Sequence, residues 1–162
     1  MVTLYLISHA QAAEAGSYPD DRQRPLARKG LEQAARLRDF LGRRRVQFDQ
    51  LFSSPLVRAA QTAEVLVPLL RGRRLTYLDA LATDAYEALL TELLEYRRET
   101  DRRLALVGHE PYLSELASHL LTGEPQRLTI TLKKAGLLVL VGEQAPGAMR
   151  LEALLAPSAY RV

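Results

Sequence analysis

The chain has 162 residues, 48% of them hydrophobic and 25% charged, and carries a net charge of +3. That length suits one domain, expected to span residues 1–162 and to bury about two thirds of its unfolded surface. No run nears the ~20 apolar residues of a membrane span, and the absence of cysteine excludes disulfides and thiolate metal sites.

The opening MVTLYLIS lacks the basic flank and the length of a signal peptide. It reads as a buried strand over Thr3 to Ile7, and a cytoplasmic location is the default expectation. Residues 10–25, with Gly16, Pro19, Asp20 and Asp21, read as a loop. A helix is expected from Leu26 to about Leu41, with Leu31, Ala34, Ala35 and Leu41 inward and Gly42 closing it. Gln50 to Ser53 is a second strand. Pro55 then opens a helix striped by Leu56, Ala60, Ala63, Val67 and Leu70.

Leu75 to Leu78 reads as a third strand and 84–99 as a helix carrying Tyr86, Leu89, Leu90, Leu93 and Leu94 at helical spacing. Leu104 to Val107 is a buried strand stopped by Gly108. Leu113, Leu116, Ala117, Leu120 and Leu121 mark a fourth helix that ends at Gly123, with His119 off its stripe and expected to be exposed. Runs at 128–132, 137–141 and 149–154 read as strands joined by turns. The alternation predicts an α/β fold: a three-layer α/β/α sandwich around a mostly parallel sheet.

The basic clusters at Arg43 to Arg45, at Arg71, Arg73 and Arg74, and at Arg102 and Arg103 sit where helices end or strands begin, and no aromatic residues interleave with them. They read as solvated surface, so neither nucleic acid nor membrane is an expected partner. No His-Glu-x-x-His or similar set suggests a metal, and no cofactor is expected.

In such sheets ligands bind beyond the carboxyl ends of the strands. Three polar clusters fall there: Ser8-His9-Ala10, Ser53-Ser54-Pro55-Leu56-Val57-Arg58, and Gly108-His109-Glu110-Pro111. Alone, Ser53 and Ser54 read as helix caps, and Arg58 is oddly placed for a cation in a first helical turn.

Together the segments LYLISHAQA, RPLARKG with Gln33, SSPLVRAAQTAEVL and LVGHEP resemble, in order and spacing, the motifs of the histidine phosphatase superfamily. The short length and LKKAG at 132–136 resemble its compact SixA-like branch of phosphohistidine phosphatases, which has a phosphoglycerate mutase-like fold. The resemblance implies that His9 is the nucleophile that becomes phosphohistidine, that Arg58 grips the phosphoryl oxygens, and that His109 hydrogen-bonds to them. The catalytic pair is then His9 and His109, and the phosphate-binding set is Ser8, Arg58 and His109. The implied substrate is a phosphorylated protein or a small phosphate-containing molecule.

One position departs from the pattern. The family has arginine before its nucleophile, and this chain has Ser8. Losing one transition-state donor costs about 10²–10³ in turnover. Two readings stay open: a poor phosphatase, in which Ser8→Arg raises turnover by at least ~10²-fold, and an impaired homologue that only binds phosphate or phosphoproteins. Arg22 and Arg24 are candidates to fill the gap. Asp79 and Asp84 are candidates for a general acid, and Asp20 and Asp21 lie in the first loop.

Overall fold

The computed structural model describes residues 1–72 and 74–161, so Arg73 of the second basic cluster lies outside it. Six strands form one sheet: β1 (Val2–Ser8), β2 (Gln50–Ser53), β3 (Thr76–Tyr77), β4 (Arg103–Gly108), β5 (Leu137–Gly142) and β6 (Met149–Leu155). Their order is β3-β2-β4-β1-β5-β6. The first four are mutually parallel, and β5 runs antiparallel to both β1 and β6. Four helices accompany them: α1 (Arg28–Arg43), α2 (Val57–Leu66), α3 (Tyr86–Tyr96) and α4 (Tyr112–Thr122).

Strand alternation divides the core in two. Tyr5 and Ile7 of β1, Ala105 and Val107 of β4, and Leu137 and Val139 of β5 pack against Leu37, Phe40, Ala59, Ala63 and Leu66 of α1 and α2. Leu4, Leu6, Leu104, Leu106, Leu138 and Leu140 face Leu89, Leu93, Leu113, Leu116 and Leu120 of α3 and α4. The central strands are therefore apolar on both faces, as a helix-covered parallel sheet requires. No helix among the described residues is long and apolar enough to cross a membrane.

Several expected details are corrected. In α1 the buried arc is Gly30, Ala34, Leu37, Phe40 and Leu41, and Leu31 is 46% exposed. Gly30 sets this rotation, because a Cβ there would stand 2.0 Å from the carbonyl oxygen of Gln11. Gly42 lies inside the helix, and the left-handed residue after it is Arg45, with φ of 57°. In α2, which begins two residues after Pro55, the buried face is Arg58, Ala59, Thr62, Ala63 and Leu66. In α3, Leu94 is exposed.

The run 128–132 forms no strand. Its Leu132 and Ile130 instead plug the core beside α4, and Ser118 Oγ accepts the N–H of Leu128 at 2.9 Å. That segment and the backbone around Gly147 cover the far side of α4, so His119 is buried, at 7% exposure. Its ring packs 6.3 Å from that of Tyr86, and its Nδ1 lies 3.1 Å from the carbonyl of Gly123, where α4 ends with φ of 91°.

Candidate functional site

The carboxyl ends of β1, β2 and β4 lie side by side, with Ser8 opposite Gly108 and Ser53 opposite Val107. His9 and His109 leave these ends together, their ring centroids 5.2 Å apart. Both are nearly buried, at 4% and 6% exposure.

His9 Nδ1 lies 2.7 Å from the carbonyl oxygen of its neighbour Ala10. A carbonyl only accepts, so Nδ1 carries the proton and Nε2 keeps its lone pair. Burial, the Lys134 charge and the charges of His109 and Arg58 outweigh the Ala10 hydrogen bond and lower the His9 pKa to about 3. Burial and the charges of Arg58 and Lys134 lower that of His109 to about 4. Both imidazoles are neutral at neutral pH, and His9 offers a free nucleophilic nitrogen.

The loop behind His9 is fixed by residues of the second and third motifs. The Ala10 N–H donates to Thr62 Oγ1 at 3.0 Å, and that hydroxyl donates to the carbonyl of Arg58 at 2.8 Å. Gln33 Oε1 accepts from Gln11 N and Gln61 Oε1 from Leu26 N, at 3.0 and 2.7 Å. The polar side chains on the buried face of α2 thus serve the site.

Arg58 is buried at the amino end of α2, where the helix dipole adds positive potential. It acts electrostatically on both histidines. Asp21 holds it: Nη1 donates to the Asp21 carbonyl at 2.9 Å, and Nη2 lies 3.2 Å from Oδ2. The Asp21 carboxylate also takes Arg24 Nε at 2.9 Å, and these partners keep its pKa below the usual carboxylate range. Arg24 is therefore engaged, its Nη1 also donating to Ala13 O. Arg22 is exposed and Asp20 caps the short 3₁₀ turn at 21–23.

His109 Nε2 meets Ser54 Oγ at 2.7 Å. That hydroxyl already accepts the Leu56 N–H, at 3.2 Å, so its own proton is available for Nε2. His109 then carries its proton on Nδ1, which has no partner among the described residues and can donate to an anion. Ser54 is thus no helix cap. It sets the orientation and tautomer of a site histidine.

The last component comes from the turn before β5. Lys134 Nζ lies 3.3 Å from His9 Nε2. Partial burial and the charges of Arg58 and Arg24 lower its pKa, against the opposing pull of Glu110. The following residue, Ala135, has φ of 57°, a conformation costing a non-glycine residue about 1–2 kcal/mol. The turn is clamped to β1: Ala135 N donates to the carbonyls of Ser8 and His9 at 3.1 Å, and Ser8 N donates to Gly136 O at 3.3 Å. Tyr160 Oη donates to Ala135 O at 2.7 Å. A Cβ at Gly136 would meet Lys133 O at 2.6 Å.

Ser8 itself is fully buried, and its hydroxyl has no partner among the described residues. Asp79 and Asp84 are exposed. The half-buried Glu110 has a raised pKa from burial, and its carboxylate holds the backbone N–H and hydroxyl of Ser114. No group of three or more metal-ligating side chains stands together among the described residues.

Residues 4–82 match the family described as the histidine phosphatase superfamily (branch 1). An uncharacterised protein of Picosynechococcus sp. is 34% identical over 151 residues, covering 93% of this chain and 88% of that protein. Among solved structures, the protein histidine phosphatase SixA complexed with tungstate superposes with a TM-score of 0.85 at 18% identity, covering 99% of this chain and 100% of that one. A protein assigned as the SixA phosphohistidine phosphatase of Agrobacterium tumefaciens gives 0.76 at 26% identity, covering 96% and 98%. The α-ribazole phosphatase of Shigella flexneri also gives 0.76, at 20% identity, covering 96% and 97%.

Proposed function

The chain belongs to the histidine phosphatase superfamily, and on that premise we propose that it hydrolyses phosphoryl groups through a covalent intermediate on His9. The observation that carries this reading is the unprotonated Nε2 of His9, whose proton stays on Nδ1 and is donated in a hydrogen bond to Ala10 O.

In the first step Nε2 attacks phosphorus, the bond to the leaving group breaks, and the leaving group departs with the bonding pair and takes up a proton from solvent. In the second, water attacks the phosphohistidine, the phosphorus–nitrogen bond breaks back onto Nε2, inorganic phosphate leaves, and the water proton goes to solvent. Splitting the hydrolysis in two lowers each barrier. Arg58 and the His109 Nδ1–H meet the charge on the phosphoryl oxygens, and Ser54 keeps His109 in the donating tautomer.

The substrate class we propose is protein phosphohistidine. Its leaving group is an imidazole, and neither Asp79 nor Asp84 is needed as an acid. Because His9 and His109 are only 4% and 6% exposed, substrate reaches them with a phosphoryl group carried at the tip of a side chain. The structural relatives named for phosphohistidine phosphatase support this choice. Ser8 favours a second reading, a module that binds phosphate without turnover.

The test is release of inorganic phosphate from a phosphohistidine peptide and from an alkyl phosphate. Turnover of the first, lost in His9→Ala, is expected; equal activity of the His9→Ala variant would overturn the reading.

A further inference from the structure

We propose that Lys134 is a phosphoryl-binding residue of this site, supplying from the turn before β5 the cation that Ser8 does not supply from β1. This rests on His9 being the nucleophile.

Lys134 Nζ stands 3.3 Å from Nε2 of His9, the atom whose lone pair must meet phosphorus. An ammonium there has two partners in succession. In the free protein it donates to the Nε2 lone pair. Once phosphorus approaches Nε2, the phosphoryl oxygens occupy the same neighbourhood, and Nζ can turn to one of them at the ~2.8 Å of a charge-assisted bond. Lysine stays protonated throughout, so no proton is transferred and the phosphoryl step balances as written.

Position alone would be weak if the side chain merely drifted over the site. The Lys134 side chain is exposed, but the backbone that carries it is held against β1. The turn is bonded to β1 through Ala135 N, Gly136 O and Ser8 N, and its Ala135 carbonyl is held by the buried hydroxyl of Tyr160. Ala135 keeps a left-handed conformation that a non-glycine residue avoids. Strain of this kind persists where surrounding contacts over-determine it, and here it aims one residue at the nucleophile.

Charge supplies the third strand. Ser8 is fully buried with an unpartnered hydroxyl, and it offers at most a neutral hydrogen bond. Of the candidates from the first loop, Arg22 is exposed, and Arg24 is bound to Asp21 and to Ala13 O. Lys134 feels the charge of Arg58, and both cations act electrostatically on His9. The same ammonium disfavours protonation of His9 and so keeps the nucleophile neutral.

The test compares the intact chain with Lys134→Met and Lys134→Arg, using inorganic phosphate and orthovanadate in calorimetric titrations and turnover of a phosphohistidine peptide. Thermal unfolding checks that each variant is folded. Loss of a charge-assisted bond predicts at least about tenfold weaker anion binding for Lys134→Met and recovery to near the parent value for Lys134→Arg. Turnover of Lys134→Met should fall about 10²-fold. Should Lys134→Met bind both anions and turn over like the parent while His9→Ala is dead, the lysine proposal fails and the His9 mechanism stands. A parent chain that binds neither anion and turns nothing over would remove the His9 reading and this one together. A Lys134→Met variant that fails to fold transfers the decision to Lys134→Arg: that variant must bind both anions within about threefold of the parent, and a loss as large as that of a deleted cation overturns the proposal.

Discussion

Nζ of Lys134 lies 3.3 Å from Nε2 of His9, although 125 residues separate the two in sequence. The contact changes what Ser8 means. A first-strand motif without its arginine reads as a damaged phosphate site, yet a second cation reaches the same nucleophile from the opposite end of the chain. Ser8→Arg should therefore add little to the parent protein, less than about tenfold in kcat/KM. In the Lys134→Met background it should restore activity by about 10²-fold. Steady-state rates of the four proteins check this, and a large gain in the parent background would contradict it.

The pH dependence follows from the two depressed histidines. His9 and His109 titrate at about 3 and about 4 in the folded protein, against 6.5 ordinarily. The acidic limb of kcat/KM should then fall near pH 4 or below, well under the value of an unperturbed imidazole. The unfolded chain takes up these protons first, so stability is complete above pH 6.5 and declines as pH falls toward each folded value. Each histidine contributes a slope of about 1.4 kcal/mol per pH unit in that window. Denaturant midpoints between pH 7 and 4 measure it; flat midpoints would count against neutral, buried imidazoles.

At the alkaline end the sign reverses. Lys134 titrates below its ordinary 10.5 because of burial and of Arg58 and Arg24, with Glu110 opposing and His9 facing it. Anion affinity should weaken as pH rises through this lowered pKa, below 10.5, and Lys134→Arg should move the limb upward because guanidinium stays charged.

Ser54→Ala removes the hydroxyl that sets the His109 tautomer. With Nε2 unbonded, the Nδ1 proton is no longer enforced, and kcat should fall about 10-fold or more while the fold persists. Nitrogen chemical shifts of His109 should show the tautomer change. Unchanged shifts would count against the assignment.

Asp21→Asn keeps the backbone carbonyl that positions Arg58 and removes the carboxylate that competes with phosphate for it. Phosphate affinity should rise, by about fivefold at most, the scale of an exposed ion pair. Weaker binding instead would mean that the carboxylate orients Arg58.

The strand ends were legible in the sequence because short β-rich runs stop at polar residues, and His9, Arg58 and His109 emerge there together. The helix faces were harder to read. Gly30 sits on the inward face of the first turn of α1 but carries no hydrophobic signal, and Arg58 and Thr62 occupy the buried face of α2 for the sake of the site, which displaces the apparent stripe. Leu128, Ile130 and Leu132 alternate like a strand, but Ile130 and Leu132 plug the core beside α4 while Leu128 stays exposed. Asp21 and Ser54 act through contacts across the fold, which no local periodicity encodes. Lys134 carried only a motif likeness until the turn at Ala135 showed where it is aimed.

The most direct test of the mechanism is to quench a single turnover and locate the phosphoryl group. With the protein in excess over a phosphohistidine peptide, label should appear on His9 during that turnover, stable in base and labile in acid. It should be absent from His9→Ala and accumulate less in Lys134→Met. Turnover that proceeds with no label on His9 at any quench time, alongside an active His9→Ala variant, would contradict the covalent mechanism.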